Sequence, residues 1–429
     1  MEIETAEQPA SIRIPLTDSE QCIELFVDEL SDNTDELTQT LFGENVHPHY
    51  WIQIAVGYYS VKKYEQFLKI IDTILREENF RRFESEYECK LVLINYRTAY
   101  KLKTNTLTAE EYRQFDEESN RLINMEQQDR AASATSLALK CIYCLRTDNM
   151  KAAHTYMIHA LDRDRSCLLS SIAAAFYFIQ SRDYAKAINA YQMALLYHPD
   201  APASVRVGIA YCFYKQNNYK KAFLALDRAL QLDPANEEAL AMKAALQRTA
   251  ADLSPKERVI ASLQTIQQLY RVNPNHPQAL NYIADHTFWQ WSPIEGLSVS
   301  AQQHSEAVQV RGDTSKLHAA QPIRINGVLC RVRSVREAAA TGSVLLSSPF
   351  AGESCADVPV EARDTAKCLD LATRSAEQAT MSSLKSEAWE LIGRCYHAEN
   401  FWNKAEKYFA KAVAVSKRNV LALYGLAQV

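Results

Sequence analysis

The sequence predicts an all-α solenoid of stacked helix pairs, on three observations. A pattern recurs at fixed spacing: Tyr184, Ala187, Tyr191, Ala194 and Pro199 return as Tyr219, Ala222, Leu226, Ala229 and Pro234, each 35 residues on. Self-similarity at this period in a helical sequence marks a stacked helix-turn-helix array. Gly (10) and Pro (13) are scarce in 429 residues, while Ala and Leu recur at helical spacing. A chain of this length exceeds one compact core, yet a repeat array escapes that limit because each unit buries its face only against its neighbours.

The order of small, aromatic and Pro positions points to tetratricopeptide repeats, expected as a right-handed superhelical solenoid. Four regions are expected: an acidic arm or cap over 1–47, repeats over 48–291, a low-complexity disordered insertion over 292–362, and further repeats over 363–429. Residues 1–50 hold twelve Asp or Glu against one Arg, and residues 134–236 hold twelve Lys or Arg against seven Asp. With a net charge of −5 the chain is not built to bind nucleic acid directly by neutralising phosphates. The first residues lack an apolar leader and the longest apolar run, 172–179, is too short to span a bilayer, so an intracellular protein with no membrane contact is expected. Ten scattered Cys are read as free thiols of a reducing compartment.

In the N-terminal segment Ile12 to Leu16 reads as extended, and Ile23, Leu25, Phe26, Val27 and Leu30 read as a cover for the open end of the array. His49 to Arg76 is a first repeat, with Trp51, Ile54, Ala55 and Tyr58 on one helix and Tyr64, Phe67, Ile71 and Ile74 on the next. Phe67 stands where a small residue normally lets the helices close, which predicts a more splayed copy. A stretched pair follows over Leu91 to Leu102 and Tyr112 to Met125, with Thr108 and Glu111 as a capping box for the second helix. Ala134 to Cys167 is a copy of period 34 that aligns Cys141, Cys144, Met150, Ala153, Met157 and Ala160. Its Cys141-x-x-Cys144 lacks a helix N-terminus or a second ligand pair, so both Cys are read as small apolar fillers.

In the two best copies Ala187, Ala194, Ala222 and Ala229 are close-approach points, Tyr184 and Tyr219 wedge the turns, and Pro199 and Pro234 stop the second helices. Glu237 to Val272 begins another copy, and Pro277 to Trp291 is a first helix carrying Leu280, Ile283, Ala284 and Phe288. Residues 292–362 then hold half of all Gly, four Pro, ten Ser and one aromatic, Phe350, a composition that predicts disorder. Within them Asn326-Gly327 signals a hairpin, and Arg324, Arg331, Arg333 and Arg336 lie in an acid-free stretch open to acidic partners. Ala366 to Ala379 supplies the second helix that Trp291 leaves unpaired. Ser386 to Ser416 is a near-ideal copy with Trp389, Gly393, Tyr396, Ala405, Phe409 and Ala412. The sequence stops in the first helix of another repeat, which is expected of the front of a longer protein.

No phosphate-cradling, nucleophile-elbow, zinc-helix or dinucleotide motif occurs, and the ten His form no cluster with carboxylates at metal spacing. Neither catalysis, a metal, a cofactor nor a small-molecule substrate is expected. Arrays of this kind bind extended chains in the groove lined by their first helices. Here those positions are Leu169, Ile172, Phe176 and Ile179, then Val207, Tyr211, Tyr214 and Lys215. This lining is apolar and aromatic, suited to a long amphipathic segment rather than to a C-terminal carboxylate, which calls for Lys and Asn.

The stretches SIRIPLTDSEQCIEL (11–25), HPDAPASVRVGIAYCFYK (198–215), DRALQLDP (227–234) and NPNHPQALNYIADHTFW (273–289) resemble the large tetratricopeptide scaffold subunits of the RNA polymerase II-associated factor (Paf) complex. The resemblance runs through 11–291 and 364–429. Ile12, Pro15, Leu16, Asp18, Ile23, Glu24 and Leu25 carry it outside any repeat, and Pro199, Pro202, Val205, Arg206, Gly208, Cys212 and Phe213 carry it beyond what a repeat demands. It implies a nuclear scaffold of transcription elongation that holds the other Paf subunits, meets RNA polymerase II through the complex, and promotes histone H2B ubiquitination and histone methylation. The family's further repeats and charged tail are not in this sequence, and the insertion departs from its pattern. An unrelated repeat adaptor for chaperones or RNA processing is the alternative.

Overall fold

A computed structural model describes residues 11–15, 22–80, 86–124, 130–249, 254–317, 319, 321–336 and 341–429. The acidic residues 1–10, and Leu16 and Asp18 of the N-terminal pattern, lie outside them. The chain divides into two units, Met1–Pro234 and Ala235–Val429.

The first unit opens with an antiparallel hairpin, β1 (Ser11–Pro15) and β2 (Cys22–Phe26), followed by α1 (Thr34–Gly43). This segment begins with strands and packs on the first helix pair. Alternation sends Ile12 and Ile14 into a core with Trp51, Ile54, Tyr58 and Phe67, while Val27 and Leu30 close over the same core. The Tyr58 hydroxyl donates to the Ser31 carbonyl at 2.8 Å and the Lys63 ammonium to that of Leu30 at 2.6 Å, tying the segment to the first pair. That pair is α2 (Pro48–Ser60) and α3 (Tyr64–Leu75), with α4 (Glu77–Phe80) after it. Phe67 is fully buried here, its ring 5.4 Å from Tyr59 and 5.5 Å from Tyr100.

The pairs then follow in order: α5 (Tyr87–Thr104) with α6 (Ala109–Ile123), α7 (Arg130–Arg146) with α8 (Met150–Arg163), α9 (Leu168–Gln180) with α10 (Tyr184–Tyr197), and α11 (Ala203–Lys215) with α12 (Tyr219–Leu232). A device not read from the sequence closes their turns. Lys62, Asp148, Arg182 and Asn217 all adopt positive φ, between 56° and 62°. The next amide in each turn reaches back five residues, as Asp183 N–H does to the Phe178 carbonyl at 2.8 Å and Asn218 N–H to that of Phe213 at 2.9 Å. Asn149, Asp183 and Asn218 then cap the second helices by accepting from the third amide on.

The capping box of α6 forms as expected. Thr108 Oγ1 accepts from Glu111 N–H at 3.2 Å, and the Glu111 carboxylate accepts from Thr108 N–H at 3.0 Å and from the Lys101 ammonium at 2.7 Å. The Lys101 hydrogen bond, and after it the Thr108 amide, hold Glu111 down at about 2 against its ordinary 4.5. A depressed carboxylate stabilises the fold above its unfolded value and loses that contribution as pH falls through its folded value. Thr108→Ala is expected to cost about 1 kcal/mol at neutral pH. Glu111→Gln should lower stability at neutral pH and be nearly silent near pH 2, as read by urea denaturation.

In the second unit α13 (Glu237–Thr249) pairs with α14 (Pro255–Val272), and α15 (Pro277–Trp289) pairs with α16 (Thr365–Gln378) across the insertion. Leu280, Ala284 and Phe288 pack on Cys368, Leu371 and Ala372, as the interrupted repeat requires. Then come α17 (Ser382–Ala398), α18 (Trp402–Val415) and α19 (Val420–Gln428). Tyr408 stacks between Trp389 and Tyr396, at 5.6 Å and 5.5 Å. Gly393 admits the Phe409 ring, since a Cβ there would lie 2.8 Å from it.

Among the described residues of 292–362, strands stand where disorder was expected, and the chain is therefore not all-α. Strands β3 (Ser292–Ala301), β4 (Ala307–Arg311), β5 (Pro322–Ile325), β6 (Val328–Arg336), β7 (Thr341–Leu346) and β8 (Cys355–Ala362) close a barrel in the order β3-β4-β7-β6-β5-β8. Inward positions hold Val299, Val308, Val310, Ile323, Val332, Val344 and Val360, all nearly inaccessible. β-Branched residues alternating with polar ones thus fill a core that composition argued against. The expected hairpin is β5-β6, with Ile325 opposite Val328 and Asn326-Gly327 both at positive φ, the geometry of a two-residue primed turn.

Candidate partner-binding groove

The small residues of α9 and α11 fix which faces remain free. Ala173, Ala174 and Ala175 of α9 and Ala210 and Cys212 of α11 are buried against neighbouring helices. Ala187, Ala194, Ala222 and Ala229 are wholly buried at the expected close-approach points, and so are Ala405 and Ala412 in the second unit. The second helices end at Tyr197 and Leu232, just before Pro199 and Pro234.

The joint between α10 and α11 has a physical reason for its unusual residues. Gly208 faces Tyr191 so closely that a Cβ would lie 2.5 Å from the ring. The Arg206 guanidinium donates to the carbonyls of Ala201 at 3.2 Å and Pro199 at 3.3 Å, clamping the loop behind it.

On the free faces Phe176 is 42% exposed and Tyr211 36%. They stand 35 residues apart, at equivalent positions of successive pairs. Leu169, Ile172 and Ile179 are half-buried and form the floor beside Phe176. Tyr214 meets Tyr219 edge-on at 6.1 Å, and the Lys215 ammonium lies 5.3 Å from the Tyr211 ring and 5.4 Å from that of Tyr214. Val207 is the exception. It is only 9% exposed, because a Val is too short to reach past its neighbours where the Tyr ring one turn on does. The surface thus offers aromatic rings and one cation, a fit for the apolar face of an amphipathic segment.

The second-helix side also carries apolar surface that the repeat pattern did not single out. A cavity of about 440 Å³ lies among Ile158, Leu161, Ala174, Phe178 and Met193, and Leu196 and Leu224 are exposed on α10 and α12. The signal was Leu at outward positions of helices whose inward positions were already filled by Ala.

Cys141 and Cys144 sit inside α7, and burial, then the neighbouring Cys144, pushes the Cys141 thiol up to about 12. Both are packing residues. A cluster not noticed in the sequence brings a nitrogen of His47, an oxygen of Glu86 and the sulfur of Cys89 within 4.8 Å of one another. His47 Nδ1 accepts from His49 N–H at 3.2 Å, and its Nε2 lies 3.2 Å from the Glu86 carboxylate. Burial, then the charges of Glu86 and Glu88, pushes the Cys89 thiol up to about 11.

Repeated helix pairs, wholly buried Ala joints and shared turn geometry define a helical-repeat protein. More narrowly, residues 172–237 match the family model of the tetratricopeptide repeat, so this stretch carries tetratricopeptide repeats. A solved structure titled "Crystal structure of APC/C hetero-tetramer Cut9-Hcn1" aligns with a TM-score of 0.43 and 9% identity over 89% of this chain and 69% of that one. That score is too low to transfer anything from one chain to the other. No helix among the described residues is long and apolar enough to cross a membrane.

Proposed function

We propose that this chain is a protein–protein interaction scaffold that holds an amphipathic partner segment along Phe176, Tyr211, Tyr214 and Lys215. The observation that carries the reading is the pair of exposed rings at equivalent positions of α9 and α11, within the stretch that matches the tetratricopeptide repeat. Exposed aromatic anchors over an Ala-packed frame supply binding area at low entropic cost.

The finer reading is the scaffold subunit of the Paf elongation complex, in the nucleus. Its partners are the other Paf subunits, with RNA polymerase II reached through them, and its output is support of histone H2B ubiquitination and histone methylation. The quoted sequence stretches support it, and Ile12 and Ile14 of the N-terminal pattern have a packing role in closing the first pair. No catalytic residue and no cofactor is assigned. The test is co-expression with the complex's name-giving subunit, with and without Asp at 176 and 211.

A further inference from the structure

A cavity of about 380 Å³ opens in the second unit where the β5-β6 hairpin meets the first helices α15, α17 and α19. Its charges do not balance. Arg394 is fully satisfied, donating to both oxygens of Glu390 at 2.8 Å and 2.9 Å and to Asp285 at 2.7 Å. Arg324 has Glu361 at 3.8 Å.

Arg363, at the junction of β8 and α16, has no carboxylate among the described residues. Its guanidinium carbon lies 4.7 Å from the Phe288 ring, 5.3 Å from Trp289 and 4.7 Å from Trp291, and its buried Nε has no acceptor. The Arg331 side chain, from the hairpin, hydrogen-bonds the neutral Asn400 side chain at 2.7 Å and no carboxylate among the described residues. Burial and then the Arg394 charge lower the pKa of Arg363, and burial and then the Arg331 charge lower that of His397, as a positive pocket requires.

A half-buried cation without a counter-charge is unfavourable, and ring faces compensate it only in part. A carboxylate restores the balance through the two-pronged geometry that Arg favours. The rim decides what carries that carboxylate. Trp289, Leu329, Leu421 and Tyr424 are each more than half exposed around it. A free anion would leave these side chains in water, and a polyanion is disfavoured by a net charge of −5.

We propose that this pocket receives an Asp or Glu side chain of a partner protein, seated on Arg363 with Arg331 beside it, while apolar residues flanking that acid cover Trp289, Leu329, Leu421 and Tyr424. The pocket rests on the scaffold reading and adds a second, chemically distinct contact to it. It also gives the inserted barrel a role, because β5-β6 supplies Leu329 and Arg331 and β8 leads into Arg363.

The test uses the full chain and an immobilised library of short peptides that vary acidic and apolar positions independently. The expected result is selection of peptides pairing an acid with apolar neighbours, loss of binding when the acid becomes Asn or Gln, and no competition by inorganic phosphate. Arg363→Gln and, separately, the exposed Arg331→Gln should each weaken the selected peptide about tenfold, with the unfolding midpoint of the Arg331 variant unchanged. No acid-dependent binder, equal binding by both variants, or displacement by phosphate would overturn the pocket. Such a failure with co-purification through Phe176 and Tyr211 intact removes the pocket alone, and the converse removes the groove.

Discussion

Ala187→Trp and Ala222→Trp are each expected to lower the stability of the first unit by about 3 kcal/mol, the upper end for an overpacked core. Both Ala are wholly buried, and Ala187 shares its core with Ala175, Tyr191, Ala194 and Cys212. Interiors packed at crystal density have no room for an indole, so α9 and α10 or α11 and α12 must part. Parting one pair also disturbs the next, because α10 packs on α11. Circular dichroism during urea unfolding reads the loss. An unchanged midpoint would place these Ala outside the helix joints and break the repeat register.

Asp116→Ala is expected to cost about 3 kcal/mol, the low end for breaking a buried pair. The Lys140 side chain on α7 has no exposed surface, while Asp116 keeps 31% of its own, and their contact is 2.8 Å. Asn120 Oδ1 accepts from the same ammonium at 2.7 Å, and the rings of Phe115 and Tyr156 lie 5.9 Å and 5.8 Å from it. Truncating Asp116 strands the cation, and Lys140→Met in turn leaves Asp116 Oδ1 and Asn120 Oδ1 without their donor, so only replacing both Lys140 and Asp116 by apolar residues should be near neutral.

Burial lowers the Lys140 pKa below its ordinary 10.5, against the pull of Asp116. Between the folded and unfolded values the unfolded chain binds more protons, so stability rises with pH across that window. Removing Asp116 lowers the folded value further and widens the window. Denaturation of Asp116→Ala should therefore recover toward wild type in alkaline buffer. A flat profile would mean that Lys140 is not buried as a cation.

The helix pairs were legible because Tyr184, Ala187, Ala194 and Pro199 repeat at a period set by packing. The pairing of α15 with α16 was legible for the same reason, even across the barrel. The barrel was not. With Phe350 its one aromatic and ten Ser around it, bulk composition argued for disorder. The deciding signal was local: Val308-Gln309-Val310 and Cys330-Arg331-Val332 alternate with the period of a strand, and six buried Val supply the volume that aromatics did not. Of the groove positions expected from the sequence, Phe176 and Tyr211 stand exposed because their rings outreach their neighbours, and Val207 does not. Arg363 was invisible because its meaning depends on three rings and an absent carboxylate, which only the tertiary arrangement brings together.

The groove is tested most directly by co-purification of the chain with the name-giving Paf subunit after co-expression, wild type beside Phe176→Asp with Tyr211→Asp. Both positions are exposed, so the double variant should fold with an unchanged unfolding midpoint. The account predicts a stable pair for the wild type and none for the double variant. A pair that forms equally well with Asp at both positions would contradict it.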